Sequence, residues 1–363
     1  MDSERPFDGF VDGYAERDWD DGADGTLRIA LVGLGWFARD EALPAIADCD
    51  YADVTATVSG SAEKAREVAD EAKADTALTY DEFHAGDGAD AYDAVYVATP
   101  NALHLEYVET AADLDKDVIC EKPMEATVER AEAMVEACED ADVTLMVAYR
   151  MQTDPVIRRV RELVDDGFVG DVTQATGAFT FPMFAGDGAD PDQWRLDPEL
   201  AGGGSLYDIG VYPLNTLRFV LDADPTSVQA SLTSPDEQFD GPVIDEHAAF
   251  LLEFDGGAQA LCRSSYGSFG ESSLRVDGNE GSIRVENAFN PGAERTVVLE
   301  RGGRRSRHDG LGSNELTEQF DYFAYCCLTG ETPTADGEHG LRDMYALKGV
   351  QTSAADGRRV TLD

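Results

Sequence analysis

Four short stretches of this sequence carry residue types that can do chemistry. The first is V-G-L-G-W-F-A, residues 32–38, which sets Gly33, Gly35 and Ala38 at the spacing G-x-G-x-x-G/A. Gly33 permits a tight turn, Gly35 lets the main chain approach a pyrophosphate, and Ala38 lets a helix pack on a strand. The phosphates would then meet the free N–H groups at that helix's start. The spacing alone is weak evidence. Here it follows the apolar run L-R-I-A-L-V and opens a helix-like stretch, which is the context the chemistry requires. The expectation is a dinucleotide site, with Leu34, Trp36 and Phe37 among its contacts.

The second stretch, V-S-G-S-A-E-K at 58–64, bears on which dinucleotide. NAD enzymes usually place a carboxylate after the second strand, where it accepts from the ribose 2′-hydroxyl. Here small, uncharged Ser59, Gly60 and Ser61 stand there, and Lys64 follows one turn later with Arg66 nearby. Removing the carboxylate removes repulsion of a 2′-phosphate, and a lysine attracts it, so NADP is the expected cofactor. A-T-P-N-A-L-H follows the third buried strand and puts Thr99, Pro100, Asn101 and His104 on a further cofactor loop. His104 reads equally well as a plain helix start.

The third stretch is I-C-E-K-P-M, residues 119–124. The chain has five lysines among 28 basic residues, yet one stands between Glu121 and Pro123 at the end of a buried strand. Ligands bind beyond the carboxyl ends of such strands, which would bring Lys122 near the reacting end of the cofactor. A cis bond before Pro123 fits this position, since X–Pro bonds alone adopt cis cheaply. The fourth stretch is G-G-G-S-L-Y-D-I-G-V-Y-P-L-N-T, where Asp208, Tyr212 and Asn215 or Thr216 recur at i, i+4 and i+7 or i+8. That spacing places an acid, a phenol and an amide on one helix face.

The elements that must position these residues divide the chain near Arg150. From Thr26, five apolar strand-like runs alternate with amphipathic helices, which predicts a doubly wound parallel sheet over 26–150. After a helix at 154–167, the second part (151–363) has strands of period two between Gly, Asp and Pro turns: 171–181, 225–234, 247–257, 258–267, 273–287 and 295–303. These predict an α+β domain with an open, mostly antiparallel sheet, followed by two late helices. The last helix is expected to pack back toward the first domain. Residues 1–25 precede the first strand as an arm whose Phe7, Phe10, Tyr14 and Trp19 recur among acids, with the first three near helical spacing.

Composition narrows the function classes. Seventy-three acidic residues against 28 basic ones give a formal net charge of −45, which argues against nucleic acid and anionic membrane surfaces as partners. With 43% hydrophobic residues the chain is a folded one, suited to a cytoplasm at high salt, where the Debye length falls to about 3 Å. The six cysteines show no metal spacing and read as reduced thiols. No apolar run is long enough to cross a membrane and the first residues lack a signal pattern, so a cytoplasmic location is expected.

Together, G-L-G-W-F-A, A-T-P-N-A-L-H, C-E-K-P-M and G-G-G-S-L-Y-D-I-G-V-Y resemble the Gfo/Idh/MocA oxidoreductase family over nearly the whole chain from Thr26. V-S-G-S-A-E-K-A, Y-R-M-Q-T-D-P and Q-W-R-L-D-P-E-L-A-G-G-G are similar to its glucose–fructose oxidoreductase-like branch, which includes archaeal NADP-dependent dehydrogenases of D-xylose. The resemblance implies a Rossmann domain, a C-terminal sheet that joins subunits into a homodimer or homotetramer, and a small sugar as substrate. It implies Lys122 and Tyr212 as catalytic residues, supported by Asp208. Tyr212 would take the proton of the C1 hydroxyl of an aldose, D-xylose foremost, while Lys122 tunes the phenol and the hydride passes to NADP+ to leave a lactone. Arg150, Trp194, Arg195 and Asn215 are further substrate contacts. A sugar–sugar oxidoreductase, a dihydrodiol-type dehydrogenase and a non-catalytic NADP-dependent regulator stand as alternatives on the same fold.

Overall fold

The structure is a computed structural model that describes Phe7, Phe10, Arg17, Trp19 and residues 22–362 other than 186–189, 191, 240–243 and 313. The chain forms two compact units, one of Trp19–Arg150 with Leu316–Met344, the other of Met151–Glu315 with Tyr345–Asp363, to which Phe7 and Phe10 belong.

In the first unit, β1 (Leu27–Val32), β2 (Ala52–Ser59), β3 (Thr76–Thr79), β4 (Ala94–Val97), β5 (Asp117–Cys120) and β6 (Leu145–Val147) form a parallel sheet in the order β3-β2-β1-β4-β5-β6. Helices α1 (Leu43–Ala47), α2 (Ala62–Ala72), α3 (Tyr80–His84), α4 (His104–Asp113) and α5 (Val128–Ala141) lie between strands. β1 is central, and Ile29 to Val32 are fully enclosed. A strand covered on both faces has no polar side to alternate with, so it reads as a continuous apolar run. The strand order reverses between β1 and β4, the switch point at which such sheets bind ligands. β3 was not expected from the sequence. It is a four-residue edge strand in which only Leu78 is buried, so it carries too little pattern to read.

Residues late in the chain complete this unit. The Phe320 ring meets Tyr96 edge-on at 5.0 Å. The Asp321 carboxylate accepts from the amides of Asp50 and Tyr51 at 2.9 and 2.8 Å. Val147 N donates to Ala335 O at 2.8 Å.

The second unit holds α6 (Pro155–Asp165), β7 (Val172–Thr180), α7 (Pro198–Ala201), α8 (Val211–Leu221), β8 (Pro225–Thr233), β9 (His247–Phe254), β10 (Gln259–Ser265), β11 (Glu271–Gly278), β12 (Gly281–Glu286), β13 (Arg295–Arg301), β14 (Arg304–Leu311) and the short β15 (Val360–Thr361). The sheet order is β14-β13-β12-β11-β7-β10-β9-β8-β15. β7 and β10 run parallel, and every other neighbouring pair is antiparallel. Alternation is plain in β9, where Ala248, Phe250, Leu252 and Phe254 point inward. Two expectations change. The 273–287 stretch is a hairpin that turns at Asn279 and Glu280. β14 is an additional edge strand, charged on both sides, so it shows no apolar period. Helices α9 (Glu315–Thr329) and α10 (Gly337–Asp356) follow the sheet.

α6 starts at Asp154, whose carboxylate accepts from Ile157 N at 2.9 Å, with Pro155 at its first position. The same carboxylate pairs at 2.9 Å with Arg295, which is fully buried and also reaches Glu315 at 3.4 Å. Three of the four N-terminal aromatics are packed. Phe7 lies on Phe168 at 5.5 Å, Phe10 on His308 at 5.4 Å, and Trp19 against Tyr51, Tyr322 and Tyr325. Tyr14 lies outside the described residues.

Candidate active site

In the first unit the glycine turn after β1 is shaped by close approach. Gly33 has φ +90°, and a β-carbon there would lie 2.7 Å from Ala98 O, so only glycine fits. A β-carbon on Gly35 would meet nothing within 4 Å, which leaves the main chain open to a ligand. The helix then begins. Arg39 N donates to Gly35 O at 3.1 Å, the Ala38–Ala42 turn is wound wider than an α-helix, and α1 continues it. Leu34 and Ala38 are buried, while Trp36 is 65% exposed beside Phe37. Arg39 does not face this turn freely, because Glu67 and Glu71 of α2 hold it.

At the end of β2, Ser59 is buried and its hydroxyl accepts from Ser61 N at 3.3 Å. Ser61 caps α2 by accepting from Lys64 N at 3.3 Å. Gly60 and Lys64 complete a small corner in which Lys64, half-exposed, is the cation. After β4, Thr99 Oγ1 is buried and lacks a hydrogen-bond partner among the described residues. Buried hydroxyls are normally bonded, so this one suits a polar ligand atom. Pro100 and the buried Asn101 follow it.

Of the two readings of His104, the helix start matches its place as the first residue of α4. It is fully enclosed, with Nδ1 3.0 Å from Met124 O and Nε2 2.9 Å from Thr99 O. Both ring nitrogens are occupied by main-chain carbonyls, so His104 braces two loops instead of offering an atom to a cofactor. One of those loops carries Lys122. The Lys122–Pro123 bond is cis. Glu121 accepts from Tyr96 Oη at 2.8 Å and from Lys122 N at 3.2 Å, which holds the strand end, and Lys122 is half-buried. The fully buried Glu125 accepts from Ala126 N at 2.6 Å, Leu105 N at 3.3 Å and Arg130 Nε at 2.9 Å. It ties the same loops and was not singled out from the sequence. Arg150, which ends the first of the unit's two segments, is buried.

An NADP molecule fits these residues. The clash-limited Gly33, the open Gly35, the unbonded Thr99 hydroxyl, and the Ser59–Ser61–Lys64 corner without a carboxylate at the expected place match a pyrophosphate and a 2′-phosphate.

In the second unit the site is built on the helix that runs through 206–221. Gly203 and Gly204 enter it under tight constraint, since a β-carbon on Gly203 would lie 2.4 Å from the Tyr207 ring. The buried Asp245 receives the helix start. Its carboxylate accepts from Gly204 N at 3.0 Å, Ser205 Oγ at 2.8 Å and Leu206 N at 2.8 Å. Burial outweighs these three donors and pushes Asp245 up to about 6. The body of α8 lies on β7 at Gly177, where a β-carbon would come 2.5 Å from Pro213.

Of residues 205–220, Asp208 and Tyr212 alone are not buried. They sit one turn apart, so the sequence pairs them correctly. Asn215 and Thr216 differ from them in burial. Asn215 is enclosed, with Oδ1 accepting from Gln152 Nε2 at 3.0 Å, and Thr216 is fully buried. The Leu206–Gly210 turn is wound wider than an α-helix.

The Tyr212 ring meets Phe179 edge-on at 5.3 Å. Asp208 Oδ2 lies 3.4 Å from Arg195 Nε and accepts from Tyr266 Oη at 2.9 Å. Arg195 lies over the Trp194 ring at 4.7 Å. Burial opposes the Arg195 charge, but Asp208 outweighs it and the guanidinium is held above its ordinary value. Burial, then the Asp208 charge, push the Tyr266 phenol well above its usual range, so it acts as a donor. Tyr266, Asp245 and Gln152 were not foreseen, because each comes from a segment far from α8 in the chain.

Comparison with known proteins agrees with both halves. Residues 27–149 match the oxidoreductase family model with an NAD-binding Rossmann fold, and residues 157–284 match the GFO/IDH/MocA C-terminal domain. The chain is 47% identical over 359 residues to the D-xylose 1-dehydrogenase [NADP(+)] of Haloarcula marismortui, covering 98% of this chain and 99% of that protein. It is 33% identical to D-xylose 1-dehydrogenase (NADP(+)) 2 of Haloferax volcanii, covering 93% and 100%. The crystal structure of aldose–aldose oxidoreductase from Caulobacter crescentus, complexed with glycerol, superposes with a TM-score of 0.86 at 32% identity, covering 93% of this chain and all of that one. The chain belongs to the Gfo/Idh/MocA oxidoreductase family.

Proposed function

We propose that this protein is an NADP-dependent aldose 1-dehydrogenase that oxidises D-xylose at C1 to its lactone. The observation that carries the reading is 47% identity, over nearly the whole of both chains, to an NADP-dependent D-xylose 1-dehydrogenase. NADP+, when bound, supplies the hydride acceptor. The glycine turn after β1 receives its pyrophosphate, and Ser59, Ser61 and Lys64 receive the 2′-phosphate.

Tyr212 is the general base for the C1 hydroxyl, and Lys122 is the second catalytic residue. Asp208 and Arg195 orient the sugar, Trp194 offers it an aromatic face, and Arg150 contributes a guanidinium. The acidic composition and the six free cysteines support a cytoplasmic enzyme of a saline cell, and the broad second-unit sheet supports a homo-oligomer. Among the described residues no helix is long and apolar enough to cross a membrane.

Steady-state assays of D-xylose, D-glucose and L-arabinose with NADP+ and NAD+ in molar KCl test the proposal. Turnover of D-xylose with a higher kcat/KM for NADP+ is expected. No turnover of any aldose, or a preference for NAD+, overturns it. The likeness to an aldose–aldose oxidoreductase favours a second reading, in which the cofactor recycles between two sugars. Protein purified without added cofactor that still holds stoichiometric NADP, and oxidises one sugar while reducing another, would select that reading.

A further inference from the structure

Tyr266 follows β10 with its backbone pinned on both sides. Its amide donates to Glu246 O at 2.9 Å, and its carbonyl accepts from Met183 N at 2.8 Å. A β-carbon on the next residue, Gly267, would lie 2.0 Å from Glu246 Oε1, so the Glu246 side chain would have to move. The ring is 1% exposed and sits between Phe181 at 5.6 Å and Phe239 at 5.8 Å. A phenylalanine would fill such an apolar shell without burying a polar atom, so the hydroxyl has a separate purpose. Its described partner is the Asp208 carboxylate at 2.9 Å. A charge-assisted bond enclosed by aromatic rings is stronger than one in water.

We propose that Tyr266 is a positioning residue for the oxidation, holding the Asp208 carboxylate against Arg195 on the open face of the helix that carries Tyr212. The inference rests on the aldose-dehydrogenase reading. The geometry supports it from both ends. Asp208 and Tyr212 are the two residues of 205–220 that are not buried, and Asp208 Oδ2 is held by Arg195 on one side and Tyr266 on the other. With the phenol gone, that oxygen would lose its 2.9 Å bond and keep the longer, looser contact with Arg195 at 3.4 Å.

A double-mutant cycle tests it. Tyr266→Phe keeps the ring and its packing. It should lower kcat/KM for D-xylose roughly tenfold to a hundredfold, the range for a hydrogen bond to a charged group. NADP+ affinity should stay within about twofold. In an Asp208→Asn background the same substitution should cost less than about threefold, because the group it positions is already neutral. Equal losses in both backgrounds assign Tyr266 a merely structural role and overturn the proposal. A Tyr266→Phe variant that no longer melts cooperatively does the same. An inactive wild type refutes the functional reading and the inference with it. An active wild type with an additive cycle refutes Tyr266 alone.

Discussion

Gly204 passes Asp245 so closely that a β-carbon on it would lie 2.1 Å from the Asp245 carbonyl oxygen and 2.5 Å from its amide nitrogen. Both obstacles are main chain, so neither can swing aside. Gly204→Ala must therefore displace the entry to the helix that bears Asp208 and Tyr212. We expect a stability loss of about 3 kcal/mol, in the upper part of the range for single substitutions, and a fall in kcat larger than the fall in NADP+ affinity. Urea unfolding beside steady-state kinetics checks both. A variant as stable and active as wild type would show that this approach is not obligatory.

Asp245 makes stability depend on pH in a definite direction. Its carboxyl is pushed up to about 6, above its ordinary value of 3.8. The native state thus holds the proton more tightly than the unfolded chain. The contribution is fully present below about pH 4 and is lost as pH rises through about 6. In Asp245→Asn the contribution is absent. The stability of wild type relative to the variant should fall by about 2 kcal/mol between pH 4 and pH 7. Unfolding curves of both proteins across that interval in molar KCl measure it. A difference that stays flat or rises with pH contradicts the burial argument.

Cofactor choice should follow the corner at the end of β2. Ser59→Asp combined with Lys64→Ala introduces a carboxylate for a 2′-hydroxyl and removes the ammonium. The double variant should lose roughly tenfold or more in kcat/KM with NADP+ and much less with NAD+. Quenching of the exposed Trp36 indole offers a direct binding readout. Equal losses with both cofactors would assign these residues to folding.

Lys122→Met and Tyr212→Phe should each lower kcat by ~10²–10⁴-fold while leaving NADP+ binding close to normal, the range for general acid–base groups. The double variant should lose far less than the product of the two effects if the residues act as one unit. Loss of cofactor binding together with cooperative melting would mark them as structural.

The N-terminal aromatics predict a contribution from the chain's start. Phe7 and Phe10 are buried on the second unit and Trp19 packs on three tyrosines of the first. Removing residues 1–25 should lower the melting temperature by several degrees, since each buried ring contributes about 1.5–3 kcal/mol. A truncated protein that melts with wild type would assign the segment no part in stability.

Much of the site could be read along the chain, because its chemistry sits in contiguous words. Gly33 and Gly35 lie between a strand and a helix, Lys122 ends a strand in a chain with few lysines, and Asp208 and Tyr212 lie one turn apart. What escaped belongs to register and burial. Tyr266 reaches Asp208 because β10 ends beside the helix, and Asp245 meets Gly204 because it stands just before β9. His104 was half-read. Its place beside the cofactor loop was legible, but its enclosure between two carbonyls was not. The burial of Asn215 is not legible in the sequence, since helical spacing says which residues share a side and not how deeply each sits. β3 and β14 failed because edge strands need no apolar period.

The sheet that would hold the cofactor borrows its last packing from the far end of the polypeptide, through Phe320 on Tyr96, Asp321 on Asp50 and Tyr51, and Ala335 on Val147. A ribosome therefore releases the first 150 residues with part of their core uncovered, and these contacts close only after Phe320, Asp321 and Ala335 have been made. Contacts so distant in sequence slow folding and leave apolar surface open to misassembly in the interval. The same arrangement makes the unit inseparable as a gene fragment. Cut after Arg150, it would lack Phe320, Asp321 and Ala335, and a circular permutant that joined residues 316–344 to its start would be the shorter path to an independent cofactor-binding domain.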